Sequence, residues 1–299
     1  MVAGIRLRRR ARNPDGSMSV LDHLRELRRR LIIAVLFIAA GAVLGWVLYD
    51  PVLRFLERPY CSVPATHRYN GGGSGNSCDL IYTGVLDGFT TRLKVSFISG
   101  SVFTAPFWLY QIWGFITPGL RKNERKYTVI FVITSSLLFF AGMALAYLVL
   151  SKGLSVLILS SGAGTQALLT VNSYLSFVTL MLLVFGSAFE LPLLVVMANL
   201  AGILPAALLK RSQRVGIFLI FVFAAVATPS TDPFTMCAMA IPMVALFEAA
   251  VLFAIVHDRR KARRKAAGQA DEQLDDLTPS TVDAIPSALP TDGSWADTT

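Results

Sequence analysis

Hydrophobic residues come in long unbroken runs along this chain. They show neither the one-faced spacing of a soluble amphipathic helix nor the alternation of a half-buried strand. Six runs stand out, at residues 31–49, 93–115, 127–150, 173–200, 215–228 and 234–256. About 20 apolar residues is the length a helix needs to cross the hydrocarbon of a bilayer. The pattern therefore predicts an all-α polytopic membrane protein with six transmembrane helices. The fifth run is short. About 14 residues at 1.5 Å each reach about 21 Å, against about 30 Å of hydrocarbon, so it must recruit flanking residues or sit in locally thinned bilayer. The first run is too long for the apolar core of a cleaved signal peptide, and five more follow it, so it is expected to remain as a span.

The polar positions between the runs set orientation. Arginines crowd positions 6–12 and 25–30, and Arg121, Lys122, Arg125 and Lys126 follow the second run. Lys210, Arg211 and Arg214 follow the fourth, and six Lys and Arg residues from Arg259 to Lys265 follow the sixth. The opposite side carries Arg54, Arg58, Arg68 and Lys152, with Arg92 and Lys94 at its margin. Cytoplasmic loops carry the excess of Lys and Arg, so both termini are expected in the cytoplasm. This changes what the net charge of +9 means. In a soluble protein it would suggest nucleic acid; here it reports orientation, and no nucleic-acid partner is expected. Composition agrees: 54% hydrophobic and 16% charged residues, against about 25% charged in soluble domains, argue against a soluble enzyme.

Chemistry is sparse. No phosphate-binding glycine loop, zinc-protease helix or nucleophile elbow is present, so no enzyme activity and no cofactor are expected. Three histidines and three cysteines are too scattered for a metal site. The informative residues are acids. Glu190 and Glu248 fall inside predicted spans, where an ionisable group is costly and marks function by default. Glu190 reads as a polar contact for a partner helix, a cargo segment or a proton. Its ordinary alternative is an internal hydrogen bond to a Ser or Thr. Glu26 and Glu124 lie at the cytoplasmic edge, among many arginines. From spacing alone, Glu26 reads as a helix pair with Arg30 at i+4, and Glu124 as a solvated loop charge. Pro106, Pro192 and Pro242 each fall inside a span, where they tend to kink the helix and can shape a concave face.

Outside the spans, Cys61 and Cys78 bracket a glycine-rich loop on the outer side. A disulfide between them would stabilise by roughly 3 kcal/mol through loop closure; two free thiols are the alternative. Cys237 reads as packing. Residues 1–17 form a basic extension, 18–257 the membrane domain, and 258–299 a basic then acidic tail expected to be a disordered cytoplasmic segment.

Two segments together carry a resemblance. His23, Leu24, Leu27, Arg28 and Leu31 precede the first span. Ala105, Pro106, Tyr110, Gln111, Gly114, Phe115, Pro118, Gly119, Leu120, Glu124 and Arg125 lead into the first cytoplasmic loop. Both resemble signatures of the TatC family, the multispanning subunit of the twin-arginine (Sec-independent) protein translocase. Ser135 to Phe139, Tyr174 to Phe177, Phe189, Glu190, Pro192, Thr228, Pro229, Asp232, Pro242 and Glu248 are similar to the family as well.

The resemblance implies a receptor for twin-arginine signal peptides in a bacterial cytoplasmic membrane. Glu26 and Glu124 would recognise the arginine pair, and Leu27, Arg28, Phe115 and Pro118 would shape the pocket. Glu190 would form a polar intramembrane site. Asp232, Met236 and Glu248 would contact single-span TatA- or TatB-type subunits. The resemblance further implies a homo-oligomer within the complex, transport of folded cargo on the proton motive force, and no nucleotide. Asn123 stands where a His is common, and Met236 where a Gln is. A proton-coupled small-solute carrier built on Glu190 is the alternative; the absence of an internal repeat weighs against it.

Overall fold

The computed structural model describes residues 20–61, 80–116, 124–159, 169–228 and 232–277. These hold ten helices and, apart from one isolated bridge between Ile81 and Thr170, no β-pairing. They are α1 (Val20–Val47), α2 (Tyr49–Cys61), α3 (Asp87–Phe103), α4 (Ala105–Ile116), α5 (Glu124–Leu159), α6 (Val171–Ala188), α7 (Leu191–Leu200), α8 (Ala206–Arg211), α9 (Gln213–Ala227) and α10 (Pro233–Leu277). The six apolar runs coincide with α1, α3–α4, α5, α6–α7, α9 and α10. Among the described residues, four stretches are long and apolar enough to cross a membrane: Leu21–Val47, Thr128–Leu154, Val171–Leu200 and Pro233–Gln269. The α3–α4 run is divided by a break, and α9 is shorter. Large apolar side chains such as Leu31, Val35, Leu36, Ile130, Ile133 and Leu137 stand exposed along α1 and α5. Apolar exposure on this scale belongs to surfaces that meet lipid or protein rather than water.

Proline position explains two of the breaks. Pro106 lacks the N–H that would bond Val102, and its ring crowds that carbonyl, so α3 ends at Phe103 and α4 restarts after Thr104. The Trp108 indole donates to the Ser101 carbonyl at 2.9 Å, covering an acceptor near the break. Pro192 sits in the first turn of α7, where its missing N–H costs nothing, and the chain bends at Phe189 and Glu190. Around Pro242, in contrast, α10 continues as helix without interruption.

Small residues set the closest packing. Gly41 and Gly45 on α1 face Ser96 and Gly100 on α3. A Cβ on Gly41 would lie 2.4 Å from the Gly100 carbonyl oxygen, and one on Gly45 would lie 2.2 Å from that of Ser96. Backbones this close are the mark of small-xxx-small helix pairing. Gly142 does the same for α5 against α6, where a Cβ would meet the Phe185 carbonyl oxygen at 2.7 Å. Polar ties supplement this packing. Arg92 of α3 lies 4.8 Å from the Trp46 ring and 5.0 Å from the Tyr49 ring. Lys94 donates to Ser176 Oγ at 2.8 Å, joining α3 to α6. One apolar core joins α2, α5, α6 and α10, and a second joins α4, α5 and α7 around Trp113, Phe131 and Phe139.

The chain divides into units 1–254 and 255–299. In the second, helix continues to Leu277 through the basic stretch, where a disordered segment was expected from residue 258. Ala, Arg, Lys and Gln are strong helix formers, and a helix exposed all round needs no apolar face to read as polar. Residues 1–17 and 278–299 lie outside the described residues.

Candidate functional site

The first turns of α1 and the last turns of α4 meet. His23, Glu26 and Arg30 fall at three- and four-residue spacing, which places them on one stripe of α1. The His23 ring stacks on Phe115, with centroids 4.4 Å apart and planes at 23°. Glu26 Oε1 accepts from Arg30 Nε at 2.9 Å and from Nη2 at 2.7 Å. The arginine runs over α4 where residue 114 has no side chain: a Cβ there would lie 2.1 Å from Arg30 Nη1. Beside this pair opens a cavity of about 590 Å³ lined by Arg25, Glu26, Arg29, Arg30, Ile33, Tyr110 and Gln111. It presents a carboxylate among three guanidinium groups, so its chemistry favours a ligand that can match a carboxylate closely and tolerate cationic walls.

Of the residues singled out from the sequence, Glu26 lines this cavity, and Phe115 stacks on His23 without lining it. Leu27 and Arg28 are exposed and do not line it. Each step along a helix turns a side chain by about 100°, which carries both away from the stripe of Glu26. Glu124 is the first residue of α5, but its side chain and Pro118 lie outside the described residues. Arg25, Arg29, Ile33, Tyr110 and Gln111 are lining residues that spacing did not single out. Tyr110 and Gln111 lie one turn before Gly114 and Phe115, and that four-residue spacing was the available signal.

A second polar group lies deeper. Glu190 occupies the bend between α6 and α7, where Ser135 Oγ of α5 donates to its Oε2 at 2.7 Å. Ser135 accepts in turn from the Trp113 indole of α4 at 2.8 Å. Trp113 and Ser135 are fully buried. The ordinary alternative, an internal bond to a serine, therefore holds for one oxygen. The other, Oε1, is buried with no hydrogen-bond partner among the described residues. A chain of hydrogen bonds from α4 through α5 thus ends on one carboxylate and leaves its other oxygen buried and unpaired among the described residues.

The remaining candidates have structural partners. Asp232 caps α10, accepting from the Thr235 backbone N–H at 2.8 Å and from its hydroxyl at 2.8 Å. Asp232→Ala is expected to lower stability by about 1 kcal/mol, the usual cost of a lost N-cap, read as a lower melting temperature in detergent. Met236 packs partly buried against the larger core. Glu248 accepts a short hydrogen bond from Gln213 of α9, next to the contact of Gly216 with the Phe247 ring. Cys61 is disulfide-bonded, Cys237 is free, and Cys78 lies outside the described residues.

Residues 22–242 match the family model for the Sec-independent protein translocase protein (TatC). The chain is 46% identical over 288 residues to the Sec-independent protein translocase protein TatC of Frankia casuarinae, covering 96% of this chain and 79% of that protein. It is 39% identical to the protein of the same name from Xylanimonas cellulosilytica, over 85% of this chain and 89% of the other. A crystal structure of a twin-arginine translocase receptor, TatC, in DDM superposes with a TM-score of 0.64 at 30% identity, covering 78% of this chain and 99% of that one.

Proposed function

Because the chain belongs to the TatC family of Sec-independent protein translocase proteins, we propose that this membrane-spanning transport subunit is the receptor for twin-arginine signal peptides. The supporting observation is the cavity at the α1–α4 end with Glu26 in its wall. A guanidinium can meet a carboxylate through two parallel charge-assisted hydrogen bonds, whereas an ammonium offers a point charge and cannot reproduce that fork. The neighbouring Arg25 and Arg29 repel cations that fail to reach an acid, so selectivity comes partly from repulsion. Glu124, at the start of α5, supplies the second carboxylate. The apolar stretch of the signal peptide then lies along the helices beyond.

On the same reading, six spans put both termini in the cytoplasm of a bacterial inner membrane, and the protein binds and positions cargo without catalysis. Glu190 offers its open oxygen to a polar group entering from the bilayer. The region of Asp232, Met236 and Glu248 meets TatA- or TatB-type single-span helices. Copies assemble within one complex, folded cargo moves on the proton motive force, and Cys61 pairs with Cys78.

Photocrosslinking tests the receptor reading. Inverted membranes containing the protein receive a twin-arginine precursor with a photoprobe beside the arginines. The adduct is expected to form with Arg-Arg and to fall at least tenfold with Lys-Lys, with Glu26→Ala and with Glu124→Ala, consistent with the loss of a charge-assisted pair. Equal crosslinking by the twin-lysine precursor, or no effect of either Glu variant, refutes the assignment.

A further inference from the structure

The geometry of the Glu26–Arg30 pair bears on which cations can enter the cavity. Both Arg30 contacts, Nε at 2.9 Å and Nη2 at 2.7 Å, go to the same oxygen, Oε1. A carboxylate oxygen offers two lone-pair positions, so Oε1 is filled, and Oε2 has no hydrogen-bond partner among the described residues. A ligand guanidinium needs both oxygens to form its fork. It can therefore bind Glu26 in that way only if Arg30 leaves.

We infer that Arg30 is a specificity-determining residue, a resident guanidinium that occupies Glu26 until a ligand arginine of the same chemistry exchanges with it. This rests on the cavity being the signal-peptide site. The exchange is between like groups, so an arginine that takes over the pair replaces each bond it breaks. A lysine meets a carboxylate already neutralised by Arg30, gains at most one contact at Oε2 and cannot match the two contacts it would have to displace at Oε1.

The seat of Arg30 is built for this position. Nη1 fits against α4 because residue 114 is glycine, and a Cβ there would also lie 3.2 Å from Cζ. The pair is partly open, with the Arg30 and Glu26 side chains 25% and 29% exposed, so Arg30 can swing out without unpacking a core. Its departure frees a cation beside Arg29 and beside Arg25, which pairs with Asp22 at 3.4 Å. That raises the barrier for any ligand that does not replace it at Glu26.

The test uses the full chain in lipid nanodiscs, with fluorescent signal peptides that differ only in carrying Arg-Arg or Lys-Lys. Arg30→Gln is expected to strengthen lysine-peptide binding about tenfold while arginine-peptide binding holds or rises less, so that discrimination shrinks about tenfold. Gly114→Ala keeps the charge but unseats Arg30, and is expected to shrink discrimination in the same direction. Glu26→Gln, read on the same plates, is expected to lose arginine-peptide binding. Weaker arginine-peptide binding in Arg30→Gln with the lysine peptide unchanged would show that Arg30 only holds Glu26 in place, which overturns the exchange. An equal gain for both peptides, leaving their ratio intact, reduces Arg30 to general repulsion and overturns it as well. In both cases loss of binding in Glu26→Gln leaves the receptor site standing. Unchanged binding in Glu26→Gln removes the site itself and the exchange with it.

Discussion

Gly45→Leu is expected to abolish recovery of folded, monodisperse protein from the membrane, and Gly45→Ala to lower the melting temperature sharply. The reason is what a side chain at residue 45 would meet. The Ser96 carbonyl oxygen lies 2.2 Å from the ideal Cβ position, and the Ser99 hydroxyl at 2.7 Å. The nearer obstacle is backbone in the middle of a helix, so it cannot rotate away as a side chain would. Relief requires α1 and α3 to separate along their length, which also undoes the fit of Gly41 against Gly100. Overpacking in a core typically costs about 1–3 kcal/mol when side chains can give; a rigid backbone contact belongs above that range. Total stability of about 5–15 kcal/mol leaves little margin. Gly88→Ala is the control: nothing lies within 4 Å of its Cβ position, so its size-exclusion profile and melting temperature should match those of the parent. A Gly45→Leu protein that elutes and melts like Gly88→Ala would show that α1 and α3 are not packed backbone to backbone.

Ser135→Val should be the most damaging small substitution in the interior. The hydroxyl acts twice, accepting from Trp113 at 2.8 Å and donating to Glu190 at 2.7 Å. Valine fills nearly the same volume and makes neither bond. An unsatisfied buried donor costs about 1–3 kcal/mol, and an unsatisfied acceptor on a carboxylate at least as much, so a combined loss of about 2–6 kcal/mol is expected. Trp113→Phe removes one donor only and leaves Ser135 bonded to Glu190, so it should lose less through this chain. Glu190→Leu in the Ser135→Val background removes the stranded carboxylate and should recover part of the loss. Melting temperatures of the single and double variants, combined as a mutant cycle, measure the coupling. Strict additivity would mean that the three groups do not act as one chain.

Part of this architecture is legible in the sequence and part is not. The helical segments were legible because lipid selects for unbroken apolar runs, and those runs coincide with α1, α3–α4, α5, α6–α7, α9 and α10. Pro106 and Pro192 announced where two of them break. Glu190 stood out because a carboxylate in an apolar run is conspicuous, but its partner is 55 positions away in sequence, and no local pattern encodes that contact. The same limit applies to Arg30. Its pairing with Glu26 follows from i+4 spacing, whereas its seat on Gly114 depends on α1 meeting α4. Leu27 and Arg28 were singled out by resemblance alone; both are exposed on α1, off the stripe that carries Glu26. The stretch after residue 258 lacks an apolar face, and composition alone does not separate a solvated helix from a coil. Gly41 and Gly45, spaced by four inside an apolar run, were a readable signal for close helix packing.

That glycine pair also has a history during synthesis. Gly41 leaves the ribosome roughly 60 residues before Gly100, which at about 5–20 residues per second is a wait of about 3–12 seconds. Throughout that interval the bare face of α1 is already made while its match is not. Any other helix with a small-residue stripe can occupy it, including α1 of a neighbouring nascent chain. The order of emergence therefore makes crowding at the insertion site, rather than the finished fold, the stage at which this protein is most exposed to pairing with the wrong helix.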